Sequence, residues 1–210
     1  MKTSPAISIT ISNLSKRYKT GFAVKDVCTS FESGQLNLIV GENGSGKTTL
    51  LRCIMGLCRY EGKIVIMKSK IGYAPEQYVM PSYMNVVDFL VSLGRVREKD
   101  GEMLKRKLPE LLKIFDFAEV SSRMIGWLSN GMKQKVNLLQ ALIHNPDILI
   151  LDEPLHGLDQ ESQAIFIKYL QSLAKEKLVI ISTHYPERFR LRKHKMYLLE
   201  NGSIGPSANA

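Results

Sequence analysis

The segment Gly41-Glu42-Asn43-Gly44-Ser45-Gly46-Lys47-Thr48 restricts the fold of this chain more than any other eight residues. It fits GxxxxGK[ST], in which glycines leave successive backbone N–H groups free to wrap phosphate oxygens and a lysine adds a point charge. Its flanks agree. Leu36 to Val40 is a compact apolar run that stops at the glycines, as a buried parallel strand does before a helix. Thr48 to Leu57 then sets Leu50, Leu51, Ile54 and Met55 at helical spacing. Strand, glycine loop and helix N-terminus together make an anion site for the β- and γ-phosphates of a nucleotide, with the Thr48 hydroxyl offered to Mg²⁺. Asn43 within the pattern and Thr49 just after it belong to the same binding segment.

A second apolar strand is predicted from Asp147 to Leu151, followed directly by Asp152 and Glu153. Ligands of α/β sheets bind at such C-terminal strand ends. Asp152 fits a carboxylate that holds Mg²⁺ through water, and Glu153 fits a general base for an attacking water. Leu128-Ser129-Asn130-Gly131-Met132 precedes a helix predicted over Met132 to Asn145, with Ser129 as its N-cap. Gly157-Leu158-Asp159 follows the two carboxylates, and His184 lies just past a strand predicted at Leu178 to Ile181.

The rest of the chain alternates strands with helices, which argues an α/β sheet covered on both faces. Ile7 to Ser12 alternates as a half-exposed strand, Ile64 to Met67 and Lys70 to Tyr73 read as short strands, and Met196 to Leu199 as another. From Asn85 to about Asp116 the pattern is helical without a strand, the mark of an insert. No uninterrupted apolar run exceeds four residues. A membrane-spanning helix needs about 20 mostly apolar positions, so no crossing of a bilayer is expected. The N-terminus lacks the hydrophobic stretch of a secretory signal, which points to the cell interior. With 29 Lys and Arg against 20 Asp and Glu the net charge is +9, but the basic residues are scattered and no nucleic-acid partner is expected. The denser spots, Lys105 to Lys107 and Arg188 to Lys195, read as a solvated helix face and as a surface for anionic lipid headgroups. Cys28, Cys53 and Cys58 show no metal or disulfide spacing and are expected to be small buried hydrophobes.

Taken together, these segments resemble the nucleotide-binding subunit of ATP-binding cassette (ABC) transporters over roughly residues 7 to 202. Gly41 to Thr48 matches Walker A, Ile148 to Glu153 Walker B with its catalytic glutamate, Leu128 to Met132 the signature, Gly157 to Asp159 the D-loop, and His184 the switch histidine. The resemblance implies a P-loop NTPase of the ABC ATPase type: a mixed central sheet, a small antiparallel β arm and an inserted α-helical subdomain. It implies one domain over 1–210, with a catalytic lobe at 1–76 and 146–204 and a helical subdomain at about 77–145. It implies ATP and Mg²⁺ as ligands and two cassettes facing head to tail, as a homodimer or heterodimer. Ser129, Gly131 and Asp159 of each cassette then complete the nucleotide site of the other. Tyr18 resembles the aromatic that stacks on adenine, with Phe22 as second candidate. Where the family shows one Gln after a strand, this chain reads Tyr73-Ala74-Pro75-Glu76-Gln77. Alignment to the proline selects Glu76, and Gln77 is the better neutral partner for Mg²⁺ and water.

Asn130 and Met132 replace the commonest Gly and Gln of the signature, a variant that resembles the bacterial exporter branch. The implied function is ATP hydrolysis that powers export through separate integral membrane permease subunits, with the cassette peripheral on the cytoplasmic face of the membrane. Docking of those subunits is expected at Glu76 to Asn85, where Tyr78, Val79, Met80, Pro81, Tyr83 and Met84 form an apolar, aromatic stretch. A soluble ABC ATPase of cluster assembly, translation or DNA repair is the alternative. A small-molecule kinase leaves the signature and His184 unexplained. The span from Gly62 to Gly72 is short for the family, so a trimmed β arm is expected.

Overall fold

Strands made wholly of buried positions set the architecture. The computed structural model describes residues 7–67, 69–97, 101–189 and 193–205. In β6 (Ile148–Asp152) and β7 (Leu178–Thr183) every residue is buried. They pair in parallel with each other and are flanked by β5 (Ile71–Ala74) and β3 (Leu36–Val40), and β8 (His194–Glu200) extends the sheet beyond β3. β9 (Ser203–Ile204) closes the edge antiparallel, giving the order β5-β6-β7-β3-β8-β9. A separate antiparallel sheet is built from β1 (Ser8–Tyr18), β2 (Gly21–Glu32) and β4 (Glu61–Ile66) in the order β2-β1-β4.

The pleat divides the interior in two. Leu149, Leu151, Val179 and Ile181 face a core shared with α2 (Val86–Arg97), α3 (Gly101–Ile114), α4 (Asn130–Leu142) and α5 (Gln160–Leu173). Ile148, Ile150, Leu178 and Ile180 face the other core, filled by α1 (Lys47–Ile54) and the inner side chains of the antiparallel sheet. Each fully buried Leu or Ile contributes about 1.5–3 kcal/mol relative to exposure. Between residues 77 and 145 the described residues form α2 to α4 and a 3₁₀ turn at Ile125–Trp127, and none belongs to a named strand.

β3 spans the same residues as expected, but β2 was not anticipated. Its buried apolar residues Val24, Val27 and Phe31 do not alternate, because register shifts between Ile11 and Arg17 bend the β1–β2 pair. The helix expected to reach Leu57 ends at Ile54: Gly56 has φ +67°, its N–H donates to the Cys53 carbonyl, and Leu57 N–H donates to Arg52. Cys28 corrects the expectation of three buried thiols. It is exposed on the irregular β1–β2 pair, where Sγ donates to Asn13 Oδ1 and accepts from Asn13 N, both at 3.1 Å. Cys53 is buried, Cys58 partly so, and their sulfurs lie 3.4 Å apart. Burial, then the neighbouring Cys58, pushes the Cys53 thiol up to about 12. Among the described residues no helix is long and apolar enough to cross a membrane. Residues 190–192 of the basic stretch Arg188 to Lys195 lie outside the described residues.

Candidate nucleotide site

The glycine loop is braced from outside. Gly46 has φ +107°, and a Cβ there would lie 2.2 Å from the Ala23 carbonyl oxygen, so only glycine fits between β2 and α1. The Ser45 carbonyl accepts from Gly202 N at 3.1 Å, tying the loop to the β8–β9 turn. Lys47, only 6% exposed, folds back so that Nζ donates to the carbonyls of Gly41 at 2.7 Å and Glu42 at 3.0 Å. Its ammonium therefore sits over the loop, beside the start of α1.

Parallel pairing of β6 with β7 delivers the carboxylates. Asp152 stands opposite Ser182, whose hydroxyl donates to Asp152 Oδ1. Asp152 Oδ2 is buried and has no hydrogen-bond partner among the described residues. Burial and then the Asp152 charge push the Tyr73 phenol up to about 12. Glu153 has left the strand with φ +46°, a strained value for a residue with a side chain, held by its N–H donating to Ser182 O at 3.2 Å and Oγ at 3.1 Å. Glu153 Oε1 lies 3.6 Å from Lys47 Nζ and 2.9 Å from His184 Nδ1, within ion-pairing range but not aligned for hydrogen bonds. Lys47, Asp152, Glu153 and His184 thus gather at the ends of three neighbouring strands.

Beside them lies a cavity of about 320 Å³ lined by Asn43, Gly44, Gly46, Lys47, Thr48, Thr49, Glu76 and Glu153, with Ala23 at its rim. Of the two candidates after β5, Glu76 lines this cavity. Gln77 is exposed and does not line it. Neither aromatic candidate lines it: Tyr18 is 42% exposed with Lys16 Nζ over its ring, and Phe22 is 51% exposed with Arg17 over its ring. A larger cavity of about 630 Å³ lies across the loop, with Gly41, Ser45 and His184 in its wall.

The start of α4 is placed differently. Ser129 caps it, its Oγ accepting from Met132 N at 3.3 Å, and both Ser129 and Asn130 are exposed. A Cβ on Gly131 would meet the Gly157 carbonyl oxygen at 2.7 Å, so this turn packs on the Gly157 segment. None of residues 128–132 lines either cavity beside the glycine loop. Asp159 caps α5: Oδ1 accepts from Ser162 N and Oδ2 from Ser162 Oγ, both at 2.8 Å. Those bonds, the backbone one foremost, hold its carboxyl below the usual range.

Two features escaped the sequence reading. Along α4, Gln134 Nε2 donates to Pro154 O at 2.9 Å, Asn137 Nδ2 to Pro75 O at 2.9 Å and Gln140 Nε2 to Tyr73 O at 2.7 Å. This row of amides fastens the helix to β5, to the loop after it and to the loop after β6; three amides on one helical face were its signal. The second feature is a surface. Met84 O and Ser82 O accept from Ile125 N and Gly126 N, which sets Tyr83, 78% exposed, and fully exposed Val79 on a segment joined to that of Trp127, also 78% exposed. Of the stretch expected to dock the membrane subunits, Met80 packs partly against the core.

A model of the ABC transporter family matches residues 24–156. The ABC transporter ATP-binding protein NatA of Bacillus subtilis is 32% identical over 93% of this chain and 87% of its own length. The Nod factor export ATP-binding protein I of Burkholderia lata is 26% identical over 94% of this chain and 69% of its own length. A solved ATP-binding subunit of an ABC transporter superposes with a TM-score of 0.87 at 26% identity, covering 96% of this chain and 89% of that one. A glycine loop beside the strained Glu153, on this fold and with these relatives, leads to one conclusion: the chain belongs to the ABC transporter family, as an ATP-binding, ATP-hydrolysing subunit.

Proposed function

We propose that this cassette binds ATP with Mg²⁺ between two copies, or between itself and a homologous cassette, and that hydrolysis drives export through separate integral membrane subunits. The supporting observation is the convergence of Lys47, Asp152, Glu153 and His184 on a glycine loop whose cavity receives nothing from the start of α4 in the same chain. Cassettes of this family form dimers and work with membrane components. The first turn of α4 then supplies its positive end to the partner's γ-phosphate, with Ser129 and Gly131 as contacts and Asp159 behind them.

Gly44, Ser45 and Gly46 wrap the phosphates with backbone N–H groups, and Lys47 swings its ammonium from the Gly41 and Glu42 carbonyls to phosphate oxygens. Glu153 accepts a proton from the attacking water, and His184 holds the Glu153 carboxylate in line. Tyr18 stacks on the adenine ring. The hard oxygens of Thr48 and Asp152, including the partnerless Oδ2, suit Mg²⁺, which when bound neutralises phosphate charge. Glu76, facing the same cavity, takes the position after β5 that senses the phosphates, with Gln77 beside it. These assignments divide the chain into a catalytic lobe, 1–76 and 146–204, and a helical subdomain at about 77–145.

Membrane subunits dock on the exposed aromatic face of Val79 and Tyr83, which Trp127 extends. The export direction is supported by Asn130 and Met132 in the signature and by similarity to the Nod factor export protein. The test is reconstitution in vesicles with an integral membrane protein that co-purifies with this chain. ATP-driven movement of a substrate out of the cassette side, lost in Glu153→Gln, is expected; movement toward the cassette side contradicts export. Stable co-purification lost in a Tyr83→Asp and Trp127→Asp double variant is expected of the docking face.

A further inference from the structure

We infer that Tyr185 is a positioning residue for His184, braced by Arg188 and Gln163 against the loop between the Walker B carboxylates and Asp159. The inference rests on the proposed role of His184. His184 stands past the end of β7 with its side chain one-third exposed, so β7 alone does not fix its ring. Its imidazole leans on the Tyr185 ring, centroids 3.8 Å apart at 47°. Tyr185 is itself fixed twice: its N–H donates to Thr183 Oγ1 at 3.0 Å, and the Arg188 guanidinium caps its ring at 4.6 Å. Arg188 is anchored to α5, with Nη1 donating to Gln163 Oε1 at 3.3 Å.

Gln163 completes the chain of contacts. Its Nε2 donates to Leu158 O at 2.8 Å and Leu155 O at 3.3 Å, within the loop whose Gly157 meets the α4 start. The imidazole is therefore registered against the same segment that supports the signature helix. A ring held before the reaction loses less freedom in the transition state, so the brace acts on turnover and not on nucleotide affinity. The contacts run through the faces of the Tyr185 ring, so phenylalanine satisfies them.

The test measures kcat and ATP affinity in the full chain. Tyr185→Ala should lower kcat about fivefold, the scale of one exposed cation–π or ring contact, and leave ATP affinity within about twofold, while Tyr185→Phe keeps wild-type turnover. Arg188→Ala should fall between them. Combined with His184→Ala, Tyr185→Ala should cause no further loss, because its effect passes through the imidazole. Wild-type kcat in Tyr185→Ala, a loss of affinity in place of turnover, failure of Tyr185→Phe to restore kcat, or an undiminished loss in the His184→Ala background each overturn the inference. Full activity in His184→Ala, or no hydrolysis by the wild-type chain, overturns the reading of the site beneath it.

Discussion

Two helices begin near the carboxylate strand, and the chain treats their starts in opposite ways. At α1 it closes around the turn: Ala23 and Gly202 brace the glycine loop, Lys47 is 6% exposed, and Glu153 is within 3.6 Å of Lys47 Nζ. At α4 the turn is backed by Gly157 and by the amide row, yet Ser129 and Asn130 face outward. Both starts present the positive end of a helix. One is built to hold a charge inside this chain, the other to offer its end to something beyond it. On the proposed function, a site divided in this way is completed by a second copy or a homologue that brings the missing face.

The largest break in this comparison comes from Glu153→Gln. Turnover should fall about 10³-fold, within the usual contribution of a positioned general base, while ATP binding persists; equal hydrolysis removes Glu153 from its role. Lys47→Ala strikes the closed start and should weaken ATP binding about 10–100-fold, measured by nucleotide titration, in line with loss of charge-assisted bonds to phosphate. Ser129→Arg strikes the open start. It should leave ATP affinity of the single chain unchanged and weaken ATP-driven association by at least about tenfold, read by sedimentation, because an added cation and its bulk meet the partner.

The smallest effect separates capping from chemistry. Asp159→Ala should cost about 1 kcal/mol of stability through the lost N-cap. The Asp159 carboxyl is held low in the folded chain, so its contribution is present above the ordinary carboxylate pKa of about 3.9 and fades as pH falls through the depressed folded value. Urea titrations of wild type and Asp159→Ala at pH 7 and below pH 3 should show the difference shrinking with acid.

The closed start was legible because its chemistry is local. A glycine loop between a buried strand and a helix, and two carboxylates after an apolar run, are written in consecutive residues. Asp152 and Glu153 needed only the rule that ligands sit at strand ends. What sequence hid depends on register or on distant contacts. β2 was missed because bulges break its period, so Val24, Val27 and Phe31 imitate helical spacing. Trp127 became a neighbour of the Tyr83 segment only through backbone bonds between Ser82 to Met84 and Ile125 to Gly126. Choosing Glu76 over Gln77 as the cavity-lining residue required the turn after β5 itself. Tyr185 and Gln163 are ordinary residues in sequence, and only their stacking and their carbonyl partners single them out.

Sedimentation of Glu153→Gln with and without ATP tests the divided site most directly. The account predicts a single chain without nucleotide, a two-chain complex with ATP, and loss of that complex when Ser129→Arg is added. A Glu153→Gln chain that binds ATP stoichiometrically yet stays single, alone and with every homologous cassette of its cell, would contradict it.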